Sequence, residues 1–245
     1  MLSVMIIAKN EAATIRRCLE ALGWADEIIV LDSGSEDATV AIAREYTPHV
    51  FQTDWQGFGV QKQRALEKAS GDWILNLDAD EVITEALRDE ILAAISRDQM
   101  SGFRVPIRMY FYGKALRFSA GPQRHVRLFK RLGARFSNDL VHEKILLPEN
   151  SQLGRLKNPI LHHSFRDVSH ALAKMNLYSS YSARIRIDAK KRHTLTQTVL
   201  SSLWMFFRCY ILQRGFLDGK PGLVLALFQA QGSWYRGIKQ LYRDA

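Results

Sequence analysis

Two aspartates separated by one residue, Asp78 and Asp80, directly follow an apolar run at Trp73–Leu77. In extended chain, residues i and i+2 point the same way, so both carboxylates can face one point. Carboxylates this close repel each other unless a cation lies between them, and hard oxygen ligands select Mg²⁺ or Mn²⁺, which also bridge a diphosphate. The alternative interpretation is a solvated acidic turn that caps the next helix.

A further carboxylate, Asp32, follows the apolar run Glu27–Leu31 and opens an Asp-Ser-Gly-Ser turn. It can accept hydrogen bonds from a base or a ribose, while Ser33 and Gly34 allow close approach of a ligand to the backbone. The alternative is a strand-to-helix turn with Ser35 as N-cap, and both interpretations are compatible. No G-x-G-x-x-G motif follows the first apolar run, and no P-loop is present in the sequence, which argues against a dinucleotide fold and an ATPase.

The first hundred residues alternate between short apolar runs and helical spacing. This pattern is typical of βαβ units and predicts a parallel sheet with right-handed crossovers, whose ligands bind at the carboxyl ends of the strands. Asn10, after the first strand, is a predicted N-cap, and Thr84 is another. The predicted strands are Leu2–Ala8, Glu27–Leu31, His49–Gln52 and Trp73–Leu77, and the predicted helices start near Asn10, Asp37, Phe58 and Thr84.

The pattern changes after residue 100. Short strands are predicted first and long helices later, and the most favourable position for a domain boundary is residues 150–167. We therefore expect an α/β domain at 1–160, with one half at about 1–100 and a second at about 101–160, followed by a basic, apolar helical region at 161–245. The later predicted elements are strands at Gly102–Met109, Arg124–Phe129, Val141–Leu147 and Pro159–His162, and helices from Val168, at Leu195–Leu212 and at Pro221–Leu241.

Charge is divided unequally along the chain. Residues 1–100 hold 9 Lys+Arg and 18 Asp+Glu, whereas residues 101–245 hold 25 and 7, so that net charges of −9 and +18 give the overall +9. The acidic part suits a metal ion, and the basic part suits phosphates, anionic lipid or nucleic acid. With 47% hydrophobic residues the composition is globular, which excludes a wholly disordered chain.

Compartment signals are few. Two cysteines suit a reducing cytoplasm rather than a disulfide scaffold. The start of the chain lacks a basic n-region and reads as a strand rather than a signal peptide. No run of about 18 uncharged apolar residues predicts a transmembrane helix.

Four motifs together resemble family-two glycosyltransferases. They are Ala8-Lys9-Asn10-Glu11, the segment 32–39 (Asp-Ser-Gly-Ser-x-Asp-x-Thr), the segment 61–65 (Gln-Lys-Gln-Arg-Ala) and the segment 71–81 that ends in Asp-Ala-Asp-Glu. The resemblance implies a GT-A fold, which is Rossmann-like with a mainly parallel central sheet and flanking helices, here with a C-terminal helical extension. It also implies a nucleotide-diphosphate-sugar donor, Mn²⁺ or Mg²⁺, and inversion of the anomeric centre. On this resemblance, residues 1–100 form the nucleotide-sugar half of the domain and residues 101–160 the acceptor half.

The resemblance assigns roles to residues of the first half. Asp80 becomes the main metal ligand, Asp78 contacts the ribose or metal, and Asp32 contacts the base or ribose. The remaining residues expected at the nucleotide sugar are Ala8, Asn10, Glu11, Lys62, Arg64 and Ala79.

The second half resembles, less specifically, the bacterial lipopolysaccharide-core β-1,4-glucosyltransferase group. The matching segments are 124–129 (Arg-x-x-Arg-Leu-Phe), 141–143 (Val-His-Glu) and the tail at 214–222. This similarity implies UDP-glucose as the donor and a lipopolysaccharide inner-core heptose as the acceptor. An acceptor from another cell-envelope, polyprenyl-linked or peptide class stays open.

Inversion requires a general base for the acceptor hydroxyl. In the family this is usually an Asp of an acidic pair, whereas the local sequence here is His-Glu, so we expect Glu143 first and Asp139 second. Arg124 and Arg127 are expected to contact phosphate or acceptor, since Arg binds phosphate bidentately. His142 is an acceptor-side or metal-ligand residue, or a packed histidine.

Two neighbouring histidines, His162 and His163, are expected to have a structural role. A metal site would require a different spacing or a third ligand.

The apolar segment 199–212 is too short to span a bilayer, and basic residues flank it at 190–192 and 214. This arrangement suits the headgroup zone of an anionic membrane, with a buried helix or dimer face as the alternative. We expect a cytoplasmic protein, peripheral on the inner face of the cytoplasmic membrane.

Two other functions are less compatible with the sequence. A nucleotidyltransferase would normally show a Gly-rich basic loop after the first strand, where Ala8-Lys9-Asn10-Glu11 stands. A nonenzymatic binder of nucleic acid or anionic surfaces would use the basic half, but no nucleic-acid motif occurs and the acidic strand ends would have no role. Nucleic acid is therefore not an expected partner.

Overall fold

A computed structural model describes residues 1–111, 113–119, 123–138, 144–165, 167–190 and 193–242. The chain divides into two compact units. The first unit comprises Met1–Ile107 and Arg124–His162, and the second comprises Arg108–Gln123 and His163–Ala245. The domain boundary expected near residue 160 stays a prediction.

Strands β1 to β4 match the strands predicted from the apolar runs to within a residue at each end. The strands are β1 (Leu2–Ala8), β2 (Glu27–Asp32), β3 (Val50–Gln52), β4 (Trp73–Asp78), β5 (Glu81–Val82), β6 (Gly102–Phe111), β7 (Lys114–Ala115), β8 (Gln123–Lys130), β9 (Arg135–Phe136), β10 (Ile145–Leu146), β11 (Leu153–Arg155) and β12 (Ile160–His162).

The main sheet has the order β3-β2-β1-β4-β8-β6-β12-β5. β1 pairs in parallel with both β2 and β4, and β2 pairs in parallel with β3. This confirms the parallel sheet predicted for the first hundred residues. β8 lies antiparallel to β4, and β12 antiparallel to β5, so the sheet is mixed beyond β4.

The register brings the acidic strand ends level with one another. Ala8 is opposite Asp32 across one edge of β1, and Ile7 is opposite Asp78 across the other. Both aspartates therefore end strands that flank β1 at the same edge of the sheet. This is the edge where ligands bind in open α/β sheets.

The parallel strands are apolar throughout because both of their faces are covered. Val4 and Ile6 of β1 belong to one buried cluster, together with Leu19. Met5 belongs to a second buried cluster with Ile74. Alternate residues of one strand thus supply two separate cores, as the two-residue period of a strand requires.

The helices after β3 begin within a residue of the predicted positions, whereas the first two helices begin later than predicted. The helices are α1 (Ile15–Glu20), α2 (Thr39–Arg44), α3 (Phe58–Lys68), α4 (Glu85–Arg97), α5 (Val168–Asp188), α6 (Leu195–Phe207) and α7 (Lys220–Leu241). Thr84 caps α4 as predicted, accepting a hydrogen bond from the Leu87 amide at 3.2 Å.

The predicted helix cap at Asn10 is wrong, and the alternative cap at Ser35 does not form. α1 starts at Ile15 rather than directly after Asn10. Asn10 has a left-handed backbone conformation instead, with a φ of 57°. Asparagine tolerates this left-handed conformation, and its side chain accepts the Glu36 amide at 2.9 Å. Ser35 caps no helix either, because its hydroxyl donates to Asp32 and α2 begins at Thr39.

The second unit is built on α7, which packs against both α5 and α6. α6 and α7 approach closely. A Cβ on Gly237 would lie 2.4 Å from the Thr198 hydroxyl oxygen, and the Ser201 and Ser233 hydroxyls are 3.4 Å apart. The predicted helix Leu195–Leu212 continues beyond α6 as a π-helical turn, Arg208–Leu212, followed by a 3₁₀ turn at Gly215–Asp218.

Asp218 joins this 3₁₀ turn to the segment after β7, and the contact includes three backbone donors. Its carboxylate accepts the amides of Arg117 at 2.9 Å, Phe118 at 3.0 Å and Ser119 at 2.8 Å, and also the Ser119 hydroxyl. The approach leaves no room for a side chain at Gly222, where a Cβ would lie 2.0 Å from the Gly215 carbonyl oxygen. The tail segment 214–222 is therefore a close-packed turn.

Asp218→Asn should lower the free energy of unfolding at pH 7 by about 1.5–3 kcal/mol, the usual worth of hydrogen bonds to a charged group. Burial raises the pKa of Asp218, but the Ser119, Arg117 and Phe118 donors outweigh it and the net pKa is below its ordinary value. The stability from the ionised carboxylate is thus present above about pH 4 and is lost as pH falls toward the folded-state pKa. Urea unfolding at pH 7 and at about pH 3 should show the gap between wild type and variant shrinking in acid.

The exposed Asp89→Asn serves as the control, since Asp89 pairs with Arg88 at the surface. A stability gap for Asp218→Asn that is absent at pH 7, or that widens in acid, would contradict this account.

Candidate active site

Two loops at the carboxyl edge of the sheet are joined by hydrogen bonds. The Asn10 amide donates to the Ser35 hydroxyl at 2.8 Å, and the Glu11 amide donates to the Thr39 hydroxyl at 2.8 Å. The Ala12 amide donates to Asp37 at 3.1 Å. The loops after β1 and β2 therefore form one continuous rim, which brings together the predicted nucleoside contacts Ala8, Asn10, Glu11 and Asp32.

Asp32 itself is fully buried at the base of this rim. Its Oδ2 accepts the amides of Gly34 at 3.0 Å and Ser35 at 2.9 Å, and its Oδ1 accepts the Ser35 hydroxyl. The carboxylate thus fixes the shape of the turn after β2. Its contact with a base or ribose stays a prediction.

Asp78 lies between two cations. Lys62 Nζ of α3 is 3.1 Å from its Oδ1, and Arg127 Nη2 of β8 is 3.0 Å from its Oδ2. Burial alone would raise the pKa of Asp78, but Lys62 and Arg127 outweigh it and hold the pKa well below its ordinary value. Asp78 is therefore a carboxylate at neutral pH, with one side chain bound at each oxygen.

Arg127 is the centre of this cluster. It is 7% exposed and its Nη2 also donates to Glu81 at 2.7 Å, while Nη1 donates to the Asn76 carbonyl at 3.3 Å. Glu81 is fully buried, and its other oxygen accepts the Asp78 amide at 2.9 Å. The guanidinium thus fixes the turn after β4 by bonding to residues on both sides of it. The expected contact of Arg127 with phosphate or acceptor stays a prediction.

Asp80 has a different partner. It lies in the turn after β4, and His162 Nε2 of β12 is 3.1 Å from its Oδ2. The pairing of His162 with Glu81 across β12 and β5 sets this position. Burial disfavours the imidazolium, but the hydrogen bond and charge of Asp80 outweigh it and raise the pKa of His162. Asp78 and Asp80 therefore share the turn and yet contact separate groups.

His162 is the residue of this site that sequence reasoning misses. The structural role expected for it rested on the spacing of two adjacent histidines, and spacing cannot show that β12 returns to pair beside the turn after β4. Its neighbour His163 does play a packing role, since its ring stacks on Tyr110 with centroids 4.7 Å apart.

The other predicted residues are distributed as follows. Arg64 pairs with Asp54 at 2.9 Å, in the loop after β3. Arg124 donates to the Leu156 carbonyl at 3.1 Å. Ala79 is buried between the two aspartates of the motif. The predicted base residues Glu143 and Asp139, and His142, lie outside the described residues.

A divalent cation fits part of this site. Within the described ranges, no group of three or more His, Cys, Asp or Glu side chains is arranged to hold a metal ion. Asp80 and His162 nevertheless supply one carboxylate oxygen and one imidazole nitrogen 3.1 Å apart. A cation that binds to a nucleotide usually takes few protein ligands, because phosphate oxygens and waters complete its shell. The donor set therefore fits Mn²⁺ or Mg²⁺ bound together with a diphosphate.

Comparison with known proteins gives a consistent result. The family profile described as Glycosyl transferase family 2 matches residues 3–151. The lipopolysaccharide core biosynthesis glycosyltransferase LpsC of Rhizobium meliloti is 32% identical over 252 residues, which cover 96% of this chain and 92% of LpsC. An uncharacterized glycosyltransferase of Rickettsia bellii is 30% identical over 250 residues, covering 97% of this chain and 85% of the relative.

Solved structures share the fold. The mannosyltransferase PcManGT of Pyrobaculum calidifontis, in complex with GDP-Man and Mn²⁺, has a TM-score of 0.55 at 12% identity, covering all of this chain and 88% of that one. S. aureus TarS 1–349, in complex with UDP-GlcNAc, has a TM-score of 0.53 at 15% identity, with coverages of 99% and 91%. The predicted GT-A fold with a helical C-terminal part is confirmed.

Arg127→Leu should lower the free energy of unfolding by about 3–5 kcal/mol, because it leaves the fully buried Glu81 without its cation and Asp78 with Lys62 alone. Arg124→Leu, on the exposed start of the same strand, is the matched control and should change stability far less. Urea unfolding followed by circular dichroism measures both. Equal stabilities of the two variants would show that Arg127 does not support the turn. The expected contact of Arg127 with phosphate would then be the better account of this residue.

Proposed function

Because this chain belongs to glycosyl transferase family 2, it transfers sugars, and we propose that it is a metal-dependent inverting glucosyltransferase that moves glucose from UDP-glucose to a lipopolysaccharide inner-core heptose. The observation that carries the donor half is that Asp32 and Asp78 end strands beside β1 at one sheet edge, with Asp80 in the turn that follows β4. The similarity to LpsC over nearly the whole chain supports the acceptor half.

The nucleoside would lie on the rim formed by the loops after β1 and β2. These loops hold one another through the Asn10, Glu11 and Ala12 amides, so the rim is formed before any ligand arrives. Preorganisation of this kind reduces the ordering cost of binding. Asp32 supports the rim from beneath through the Gly34 and Ser35 amides, and its contact with the base or ribose is proposed on the family resemblance alone.

The diphosphate would lie at the turn after β4. Asp80 and His162 would hold the cation there, and His162 nitrogen as a ligand favours Mn²⁺ over Mg²⁺. The cation supplies charge neutralisation for the departing diphosphate. Lys62 and Arg127 bind both oxygens of Asp78 and so keep this side chain in one orientation.

The acceptor hydroxyl would lose its proton to Glu143, with Asp139 as the second candidate for the base. The hydroxyl oxygen attacks the anomeric carbon from the side opposite the diphosphate, which inverts that centre. A lipid-linked acceptor would place the enzyme at the inner face of the cytoplasmic membrane, as a peripheral protein.

Asp80→Asn should weaken Mn²⁺-dependent UDP binding by about 10–100-fold, since it removes a negatively charged ligand of the cation. Calorimetric titration of UDP with Mn²⁺, and again with EDTA, measures this. The variant and the wild type should bind UDP with similar affinity in EDTA. Asp72→Asn, an exposed aspartate beside the N-terminus, is the control. Unchanged Mn²⁺-dependent binding in Asp80→Asn would refute the metal assignment.

Glu143→Gln should reduce kcat for glucosyl transfer to heptose-terminated core oligosaccharide by about 10²–10⁴-fold. UDP affinity in Mn²⁺ should not change, because a base acts on the acceptor. Asp139→Asn, assayed beside it, decides between the two carboxylates, and a kcat loss confined to Asp139→Asn would move the base there. Transfer from another UDP-sugar, or only to a non-heptose acceptor, would refute the substrate assignment while leaving the family assignment intact.

A further inference from the structure

One side of the segment from α6 to the start of α7 is apolar and exposed. On α6 the exposed stripe follows helical spacing through Leu200, Leu203, Trp204 and Phe207, and Leu203 has 63% of its surface in contact with solvent. A water-exposed stripe of large apolar side chains on one helix commonly marks an interaction surface.

The opposite side of α6 is already used. Thr198 is fully buried against Gly237 of α7, and Ser201 faces Ser233. The exposed stripe is therefore not the side that builds the core of the second unit.

The apolar surface continues through the two turns that follow α6. Ile211 and Leu212 in the π turn are 43% and 56% exposed, and Phe216 and Leu217 in the 3₁₀ turn are about half exposed. Ring contacts connect these turns, since the Tyr210 and Phe216 centroids are 6.3 Å apart. We call the exposed large apolar side chains of α6 and of these two turns the apolar face.

The exposed charges within this segment of the chain have one sign. Arg208, Arg214 and Lys220 are exposed among its apolar residues. Between residues 189 and 242 the sequence has eight Lys or Arg and a single acidic residue, Asp218. Asp218 is 3% exposed and bound by the Ser119 segment, so its charge is turned inward. A second copy of this face would meet like charge, whereas an anionic surface would meet complementary charge.

The length of α6 fits a helix lying on a bilayer. Its 13 residues extend about 20 Å at 1.5 Å per residue, against about 30 Å of hydrocarbon. Within the described part of the chain, no helix is long and apolar enough to cross a membrane.

We propose that the apolar face inserts into the headgroup zone of an anionic lipid bilayer, with Leu203 and Trp204 as its central anchors. Trp204 suits this depth because its ring has an apolar body and one hydrogen-bond donor. Exposed Arg208 and Lys220 would contact lipid phosphates. The inference rests on the proposed function in one respect, since a lipid-linked acceptor is what makes the location useful.

Vesicle co-sedimentation tests the proposal. Wild-type protein should bind vesicles of phosphatidylcholine with 30% phosphatidylglycerol, bind pure phosphatidylcholine at least tenfold more weakly, and lose affinity as salt rises. The double variant Leu203→Ser with Trp204→Ser should bind the anionic vesicles at least tenfold more weakly than wild type. Leu92→Ser, which removes an exposed leucine of α4, is the matched control and should bind like wild type.

A second pair of measurements separates membrane binding from folding and from transfer. UDP titration in Mn²⁺ on the same samples should give equal affinities for wild type and the double variant, which shows an intact first unit. Far-ultraviolet circular dichroism should show unchanged helix content. Loss of UDP binding with retained vesicle binding would count against the proposed function alone.

Three results would overturn the inference. One is wild-type protein that does not bind the anionic vesicles. Another is equal vesicle binding by wild type and the double variant. The third is a doubled mass in light scattering that returns to the monomer mass in Leu203→Ser with Trp204→Ser, since this would assign the face to a second copy of the chain.

Discussion

The turn after β4 depends on one buried guanidinium. Arg127 reaches from β8 to both Asp78 and Glu81, and it donates as well to the backbone that precedes them. Two carboxylates so close in sequence, one of them fully buried, would otherwise repel each other and distort the turn. The antiparallel pairing of β8 with β4 is what delivers the guanidinium to this point. A strand outside the parallel part of the sheet thus stabilises the acidic motif at its edge.

The two aspartates of the Asp-x-Asp motif contact different partners. Asp78 is held by two protein cations and so has a fixed orientation, whereas Asp80 contacts the imidazole of His162. Only the second carboxylate is paired with a group that is itself a metal ligand by chemistry. The geometry therefore gives the two aspartates unequal parts, although their side chains are identical and one residue apart.

Much of this could be predicted from sequence because it depends on local signals. The strand runs follow from burial on two faces, and the Thr84 cap follows from hydroxyl chemistry at a helix start. The cap predicted at Asn10 was wrong because the Asn10 side chain accepts a hydrogen bond from Glu36 in the loop after β2, and not from an amide of its own loop. Likewise, the partners of Arg127 and His162 come from strands 46 to 82 residues away, and no local pattern encodes such pairings.

The π turn at Arg208–Leu212 has a consequence for how this segment compares with related chains. A π turn bonds residue i to i+5, so it holds one residue more than the α turn it replaces. The apolar spacing runs in steps of three and four up to Phe207, and the extra residue then rotates Ile211 and Leu212 relative to a continuous α-helix. A relative with an ordinary α-helix here would align with a gap of one residue within 208–212. Such a gap would mark a change in helix type rather than a lost loop.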